Sequence, residues 1–534
     1  MSYSKGINAS AATLTRNRTP DSVSSLSGLC ATCVEGCPGL CEVGRSAVRG
    51  VEAIYPQPFG AMTTGAQKVY PLDLSHFNIM GTVMGAEGIE PDSDKAIFPA
   101  VNLESAVGAD GGLKLSLPLV IPGLGSTKVA RDNWDGLAIG AALSGVSLTI
   151  GENVCGMDRE CEIVHGRVKR SPDLERRVKL YQEWATKGRG TVAVQANVED
   201  TRLGVQEYAI EKLGVEAVEL KWGQGAKNIG GEVKISSLDH ARELKERGYI
   251  VLPDPEDPTV QEAFREGALR EFERHSRVGM ADEEAFHRRV EQLRRAGARY
   301  VFLKTGAYRP ADLARAIKWA SDARIDLLTV DGAGGGTGMS PWRMMNEWGI
   351  PTVFLEALLV SYMDRLAAQK AYLPPVAIAG GFALEDQVFK GLALGAPYVK
   401  AVGLARAPLT AVLVGKTVGQ MLERGKVPTE WAKYGDQVEQ VFLAAHRLRA
   451  ALGADFAKVP PSAVGLVSYF ERVAQGLRQF MCGARKFQVG LLGRDDLVAL
   501  TPEAARVTGV SYVTEADADE VEEILSGRRV SLAG

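Results

Sequence analysis

The sequence is short of long apolar runs, of surplus positive charge, of histidine and of cysteine. No uninterrupted apolar stretch reaches the ~20 residues of a membrane span, which argues against a membrane protein. The opening "MSYSKGINASAATLTRNRTPDSVSSLSG" has no apolar core of a signal peptide, so a cytoplasmic chain with a flexible arm over 1–28 is expected. A formal net charge of −3 offers no basic surplus for nucleic acid. Cysteine numbers only seven, yet Cys30, Cys33, Cys37 and Cys41 fall within twelve residues. Such a knot in a cytosolic chain points to a metal centre rather than to disulfides.

What is present is an ordinary globular mixture, 46% hydrophobic and 24% charged, so a large core can be buried. From about residue 115 a rhythm of short apolar strand, loop and helix-period segment begins. The strand candidates are "LPLVI" (117–121), "VSLTI" (146–150), "TVAVQ" (191–195), "AVELK" (217–221), "YVFLK" (300–304), "IDLLTV" (325–330), "PVAIA" (375–379) and "YVKAV" (398–402). Runs apolar on both faces and alternating with helices indicate a parallel sheet covered by helices. Eight units predict an α/β fold, a TIM (β/α)8 barrel over 115–425. It follows a Cys-rich N-terminal segment over 29–114 and precedes a helical C-terminal region over 426–534. The gap between the fourth and fifth strands carries an insertion, "EAFREGALREFERHSRVGMADEEAFHRRVEQLRRAGA", read as helical and solvent-facing. An open doubly wound sheet would need a glycine fingerprint after its first strand, and "PGLGSTK" lacks it.

The glycines gather late instead. "LLTVDGAGGGTGMSP" (327–341) places Gly332, Gly334, Gly335, Gly336 and Gly338 after the sixth strand. Gly380 and Gly381 follow the seventh, ahead of a helix start, and Gly403 and Arg406 close the eighth. Barrel ligands bind at this end, with phosphate held by the loops after strands seven and eight. Three adjacent loops stripped of side chains suit a long, phosphorylated ligand with a planar end, and FMN fits that description. Lys221 and Lys304 end apolar strands and are expected to point into the barrel mouth, where an unpaired ammonium is costly without a bound anion or cofactor.

These motifs resemble the FMN domain of glutamate synthase. "DGAGGGTGMSP", "AGGFALEDQVFKGLALGA" and "VGLARAPL" are similar to its glycine loops, and "VELKWGQGAKNIGG" to its KxxQGAK segment. "IPGLGSTKVARDNWDG" is similar to its first strand, and "LRQFMCGARKFQVGLLG" to its post-barrel helix. The resemblance implies an FMN and iron–sulfur oxidoreductase acting on CH–NH2 donors. In that reaction 2-iminoglutarate, formed from 2-oxoglutarate and ammonia, becomes L-glutamate. Gly123, Ser126, Gln195, Lys304, Gly332, Gly335, Gly336, Gly338, Gly380, Gly381, Gly403 and Arg406 would hold FMN, and Lys221, Gln224 and Lys227 would face the substrate. Glu152, Asp331 and Lys304 are catalytic candidates. The resemblance also implies an electron-donor protein (ferredoxin or a reductase subunit), a separate glutaminase subunit and assembly as an oligomer. A relay subunit with no substrate of its own is the alternative.

The chain departs from that family in two places. The cysteines expected after strand eight are missing from "ARAPLTAVLVGKTVGQ". The N-terminal C-x2-C-x3-C-P-x2-C is the substitute, suited to a 4Fe–4S cluster or to tetrahedral zinc, with the neighbouring proline and flavin domain favouring iron–sulfur. Cys155 reads equally as a cluster ligand, a redox thiol or a small buried hydrophobe, and Cys161 needs the same weighing. The family's histidine-bearing substrate loop is replaced by "LPDPEDPTVQEAF", which would set acids where an anionic substrate approaches. None of the six histidines ends strand seven or eight, which argues against hydroxy-acid oxidation with a histidine base.

Overall fold

A computed structural model describes residues 70–527, apart from 226–227, 336–346 and 428, together with 16–18, 44, 47–48 and 60–61. Cys30, Cys33, Cys37, Cys41, Lys227, Gly336 and Gly338 lie outside the described residues. Eight parallel strands close on themselves: β1 (Leu119–Leu124), β2 (Ser147–Ile150), β3 (Val192–Ala196), β4 (Ala217–Lys221), β5 (Tyr300–Thr305), β6 (Leu327–Asp331), β7 (Val376–Ala379) and β8 (Val399–Gly403). Each coincides with an apolar run singled out in the sequence. The helices that follow them in turn are α1 (Trp134–Leu143), α2 (Pro172–Gln182), α3 (Val205–Leu213), α4 (Glu283–Arg295), α5 (Pro310–Asp322), α6 (Thr352–Ala368), α7 (Glu385–Leu394) and α8 (Arg406–Glu423). The protein is therefore an α/β TIM barrel. Its helix starts carry local signals: the Ser171 hydroxyl accepts from Leu174 N–H ahead of Pro172, and Pro310 opens α5. No helix among the described residues is long and apolar enough to cross a membrane.

The strand alternation sorts the interior by height. The lower layers are apolar: Val120, Ala193, Ala217, Tyr300, Phe302, Leu327, Ala377 and Ala401 pack together. A hairpin, Ser105–Val107 with Leu113–Leu115, closes the floor by adding Val107, Leu113 and Leu115 to that cluster. Asp326 anchors it, its carboxylate accepting from Ala109 N–H at 2.9 Å and from Val301 N–H at 2.8 Å. A segment boundary at 114/115 thus cuts through the barrel floor.

The insertion after β4 is helical as expected over Glu283–Arg295, the helix α4; the stretch before it differs from expectation. It is a three-stranded antiparallel sheet in the order Gly231–Ile235, Phe272–Ser276, Ile250–Leu252, with short helices at Leu238–Glu246 and Pro258–Arg265. "FERHS", expected to be helical and exposed, is its central strand. Phe272, Arg274 and Ser276 are buried in alternation, and Arg274 escapes solvent by lying over the Tyr249 ring, 5.0 Å from its centroid. Two charged residues and a histidine among the five masked the period-2 pattern.

The C-terminal region is a brace. Helix α9 (Pro461–Gly483) lies against α8 and α1 where facing glycines let backbones meet. A Cβ on Gly415 would stand 2.5 Å from Pro461 O, and one on Gly465 would stand 2.8 Å from Ala411 O. Beyond α9, Leu497–Ala499 pairs antiparallel with Phe77–Ile79, joining both ends of the described chain. Since nothing there can yield except backbone, Gly415→Val is expected to lower unfolding stability by about 1–3 kcal/mol, the usual cost of overpacking. Gly490→Ala, with nothing within 4 Å, should leave it unchanged. Chemical denaturation of the two variants checks this.

Candidate active site at the barrel mouth

Above the apolar layers the inward positions turn polar on one side only. β3 supplies Gln195, β4 supplies Glu219 and Lys221, β5 supplies Lys304, and β6 supplies Thr329 and Asp331, all but Lys221 under a tenth exposed. β7 and β8 contribute Ala379 and Gly403 at the same height, and β1 contributes Gly123. One wall therefore carries charge and amides, while the facing wall is bare.

The charged groups are matched. Lys304 Nζ lies 3.2 Å from Asp331 Oδ2, and Lys221 Nζ donates to Glu152 Oε1 at 2.5 Å. Gln195 Nε2 donates to Glu219 Oε1, leaving Gln195 Oε1 buried without a partner. The lysines enter the mouth as expected, but neither is unpaired, so their burial requires no bound anion. Burial works against the Lys304 charge, yet Asp331, Glu219 and Glu152 outweigh it and raise its pKa above the ordinary lysine value. Burial likewise pushes the Glu152 carboxyl up, but Lys221 more than offsets this and holds it below the usual range. Glu219 goes the other way: burial prevails over Lys304 and Gln195 and raises it.

The bare wall is continuous. Gly332, Gly335 and Gly380 are in mutual contact, since a Cβ on Gly380 would meet Gly332 O at 2.6 Å and one on Gly335 would meet Gly380 Cα at 2.8 Å. Gly380 and Gly381 have φ of +118° and +99°, which side chains rarely adopt. A Cβ on Gly403 would stand 2.8 Å from Ala379 Cβ, and one on Gly123 would stand 2.9 Å from Gln195 Oε1. The three late loops thus converge on one end of the barrel. Some of their donors are already engaged: Gly332 N–H bonds Ala379 O at 2.8 Å, and Ala383 and Leu384 N–H bond Gln387 Oε1 at 2.7 and 3.1 Å. The start of α7 is therefore partly self-capped rather than wholly open to an anion. Arg406 opens α8 beside Gly403, and Ser126 sits in the loop after β1. Gln224 is buried beneath Gly306, and the adjacent Gly225 abuts Gly332 O and Asp331 Oδ1.

Sequence reasoning passed over several groups here. Glu219 was visible as the inward residue between Ala217 and Lys221. Asp200 was not, because it acts on a turn distant in sequence. Its Oδ2 accepts from Asn153 N–H at 2.8 Å and so holds the left-handed turn, φ +66°, that presents Glu152 to Lys221. Cys155 and Cys161, in and after this turn, are buried free thiols. The acids expected to oppose an anionic substrate lie elsewhere: Asp254 pairs with Lys245 at 2.5 Å and Asp257 caps Pro258–Arg265, both exposed on the inserted sheet.

Two outcomes follow from this geometry. Lys304→Met strands a buried carboxylate and is expected to cost about 3–5 kcal/mol, the usual penalty for breaking a buried pair. Lys304→Met with Asp331→Leu should recover most of it in a double-mutant cycle of denaturation. Asp200 is pushed up, chiefly by burial, to about 7. Between the ordinary 3.8 and about 7 the folded protein holds a proton that the unfolded chain releases, so stability falls as pH rises through that window. Asp200→Asn should flatten the decline, read as Tm against pH from 4 to 8.

No curated protein matches the chain. Among solved structures it is similar to a double variant of flavocytochrome b2 with sulfite bound, at 12% identity and a TM-score of 0.46, covering 86% of this chain and 84% of that one. It is also similar to an oxidised active mutant of (S)-mandelate dehydrogenase, at 13% identity and a TM-score of 0.44, covering 91% and 98%. A mandelate oxidase variant with 2-hydroxy-phenylacetamide is similar at 16% identity and a TM-score of 0.41, covering 90% and 94%. Residues 274–418, from the central strand of the inserted sheet into α8, match the family model described as the conserved region in glutamate synthase, which bears out over that span the resemblance carried by the motifs.

Proposed function

We propose that the chain is an FMN-dependent oxidoreductase of the glutamate synthase type, reducing 2-iminoglutarate to L-glutamate. The observation that carries this reading is the divided mouth, a buried amide and ammonium layer facing a wall of glycine and alanine, much of it within the matched region. The residues fit the cofactor. Gln195 Oε1 is buried and unpartnered beside Gly123, as expected of an amide kept for a ring-edge donor. Gly332, Gly335, Gly380, Gly381, Gly403 and Arg406 would hold the ribityl phosphate side, with Gln195 and Lys304 at the ring. Bound FMN would supply hydride acceptance and donation.

The chain's own groups supply charge and position. Lys304 stays protonated and presents a fixed positive charge in a dry site, where electrostatic stabilisation is strongest. Glu152, held ionised, serves to place Lys221 rather than to donate a proton. Lys221 and Gln224, with Lys227, would meet a substrate carboxylate, for which paired cation and amide donors are suited. The acids of "LPDPEDPTVQEAF" are engaged locally, Asp254 by Lys245 and Asp257 in a helix cap, which supports rather than opposes a dicarboxylate. An iron–sulfur cluster on Cys30, Cys33, Cys37 and Cys41, fed by a ferredoxin or reductase subunit, would deliver electrons.

The test is anaerobic purification with a visible spectrum and iron and sulfide content, then glutamate formation from 2-oxoglutarate and ammonium with dithionite-reduced mediator. A yellow protein with turnover is expected, and Lys304→Met should lower kcat at least tenfold. A preparation that is colourless and refuses added FMN would overturn the reading. Cys30→Ser should lose iron and keep flavin.

A further inference from the structure

Beside the mouth a cleft of about 970 Å3 opens between the starts of α4 and α5. That is the upper end of the ~300–1,000 Å3 range for pockets that hold drug-sized ligands, and far more than a five-carbon dicarboxylate fills. Its inner wall is formed by Ala196, Leu220 and Lys221, at the ends of β3 and β4, so it reaches the ammonium that ends the polar layer. Its sides are aromatic. Trp222 packs edge-on to Phe286 with centroids 5.4 Å apart, Tyr308 donates its hydroxyl hydrogen to Trp222 O at 3.1 Å, and Trp348 also lines the cleft.

Four arginines reach this cleft, and they differ. Arg289 binds Glu207, and Arg315 lies 2.6 Å from Asp312. Arg202 and Arg309 have no side-chain partner among the described residues and are exposed at the rim. Among the described residues the lining has two acids: Asp312 pairs with Arg315, and Asp282 caps α4, accepting from Ala285 N–H at 2.8 Å. The cleft therefore offers rings and two guanidinium groups without side-chain partners among the described residues, while Lys221 at its inner wall is held by Glu152.

We infer that this cleft binds an organic anion with a planar aromatic body, its acid group taken by Arg202 and Arg309 and its ring set against Trp222 and Tyr308. Guanidinium groups favour carboxylate or phosphate bidentately, and aromatic walls favour a planar body over an aliphatic chain. This ligand is distinct from 2-oxoglutarate, and the site does not depend on the flavin reading.

Isothermal titration of the flavin-depleted full chain with phenylpyruvate tests it, with 2-oxoglutarate and benzylamine as comparators. Phenylpyruvate is expected to bind at least tenfold more tightly than either. Arg202→Ala with Arg309→Ala should weaken it at least tenfold, with an unchanged denaturation midpoint since both side chains are exposed. Phenylpyruvate is expected to quench tryptophan fluorescence, and Trp222→Phe should reduce that quench, leaving the part that comes from Trp348. Equal binding of benzylamine, tighter binding of 2-oxoglutarate, or an unaltered Kd in the arginine double variant would overturn the inference. Phenylpyruvate binding in a protein that takes up no FMN would sink the proposed function and leave this site standing.

Discussion

A buried ammonium at the mouth of the barrel governs much else in this molecule. Lys304 is 5% exposed, and an isolated charge there would be prohibitive. Its neighbours are arranged accordingly: Asp331 at contact distance, Glu219 on the adjoining strand, Glu152 beyond. Closure of the barrel makes this possible, because register places Lys221 beside Lys304 and Lys304 beside Thr329 on consecutive strands. A one-residue slip would turn the whole polar layer outward. Apolar packing underneath and the floor hairpin hold that register.

The polar wall also needs external support, since its second ion pair hangs on a turn. Asp200 fixes Asn153, Asn197 Nδ2 donates to Asn153 Oδ1 at 3.2 Å, and Tyr249 of the inserted sheet approaches the same oxygen at 3.4 Å. A Cβ on Gly156 would collide with the Tyr249 hydroxyl, so the sheet sits directly on this turn. Arg277 ties it further by bonding Glu199 at 2.9 Å. The insertion is thus part of what keeps Glu152 facing Lys221, and it is more than decoration between two barrel units.

The eight strands were legible because strands buried on both faces read as unbroken apolar runs, such as "YVFLK" and "PVAIA". The glycine wall was legible for a similar reason: backbone contact demands glycine, and glycine leaves a mark in sequence. Pairing was not legible. Lys304 and Asp331 are separated by a helix, and Lys221 and Glu152 by two barrel units, so the sequence shows two lysines without their counter-ions. "FERHS" misled because buried Arg274 is accommodated by the Tyr249 ring, which lies on a different part of the insertion, and by a hydrogen bond to Ser276 Oγ. The acids at 254–257 misled because helix capping and local ion pairs, rather than a ligand, account for them. The cleft was invisible in principle, for its lining comes from the ends of separate strands and helices that only the barrel assembles.

The mouth pulls like groups apart. Two glutamates, half-buried Glu152 and buried Glu219, stand near the same lysines, yet one is held below the ordinary carboxyl range and the other raised above it. The difference is in their partners: Glu152 receives an ammonium directly, whereas Glu219 receives only a neutral amide from Gln195. Divergent environments of this kind assign acid and base roles without any change of residue type. With Glu152 ionised, Glu219 drawn toward its neutral form and Lys304 kept charged, the layer carries positive charge at its centre and compensating charge at its edge. A ligand set against the glycine wall would face that layer across the mouth, where fixed charge acts more strongly than it would in water.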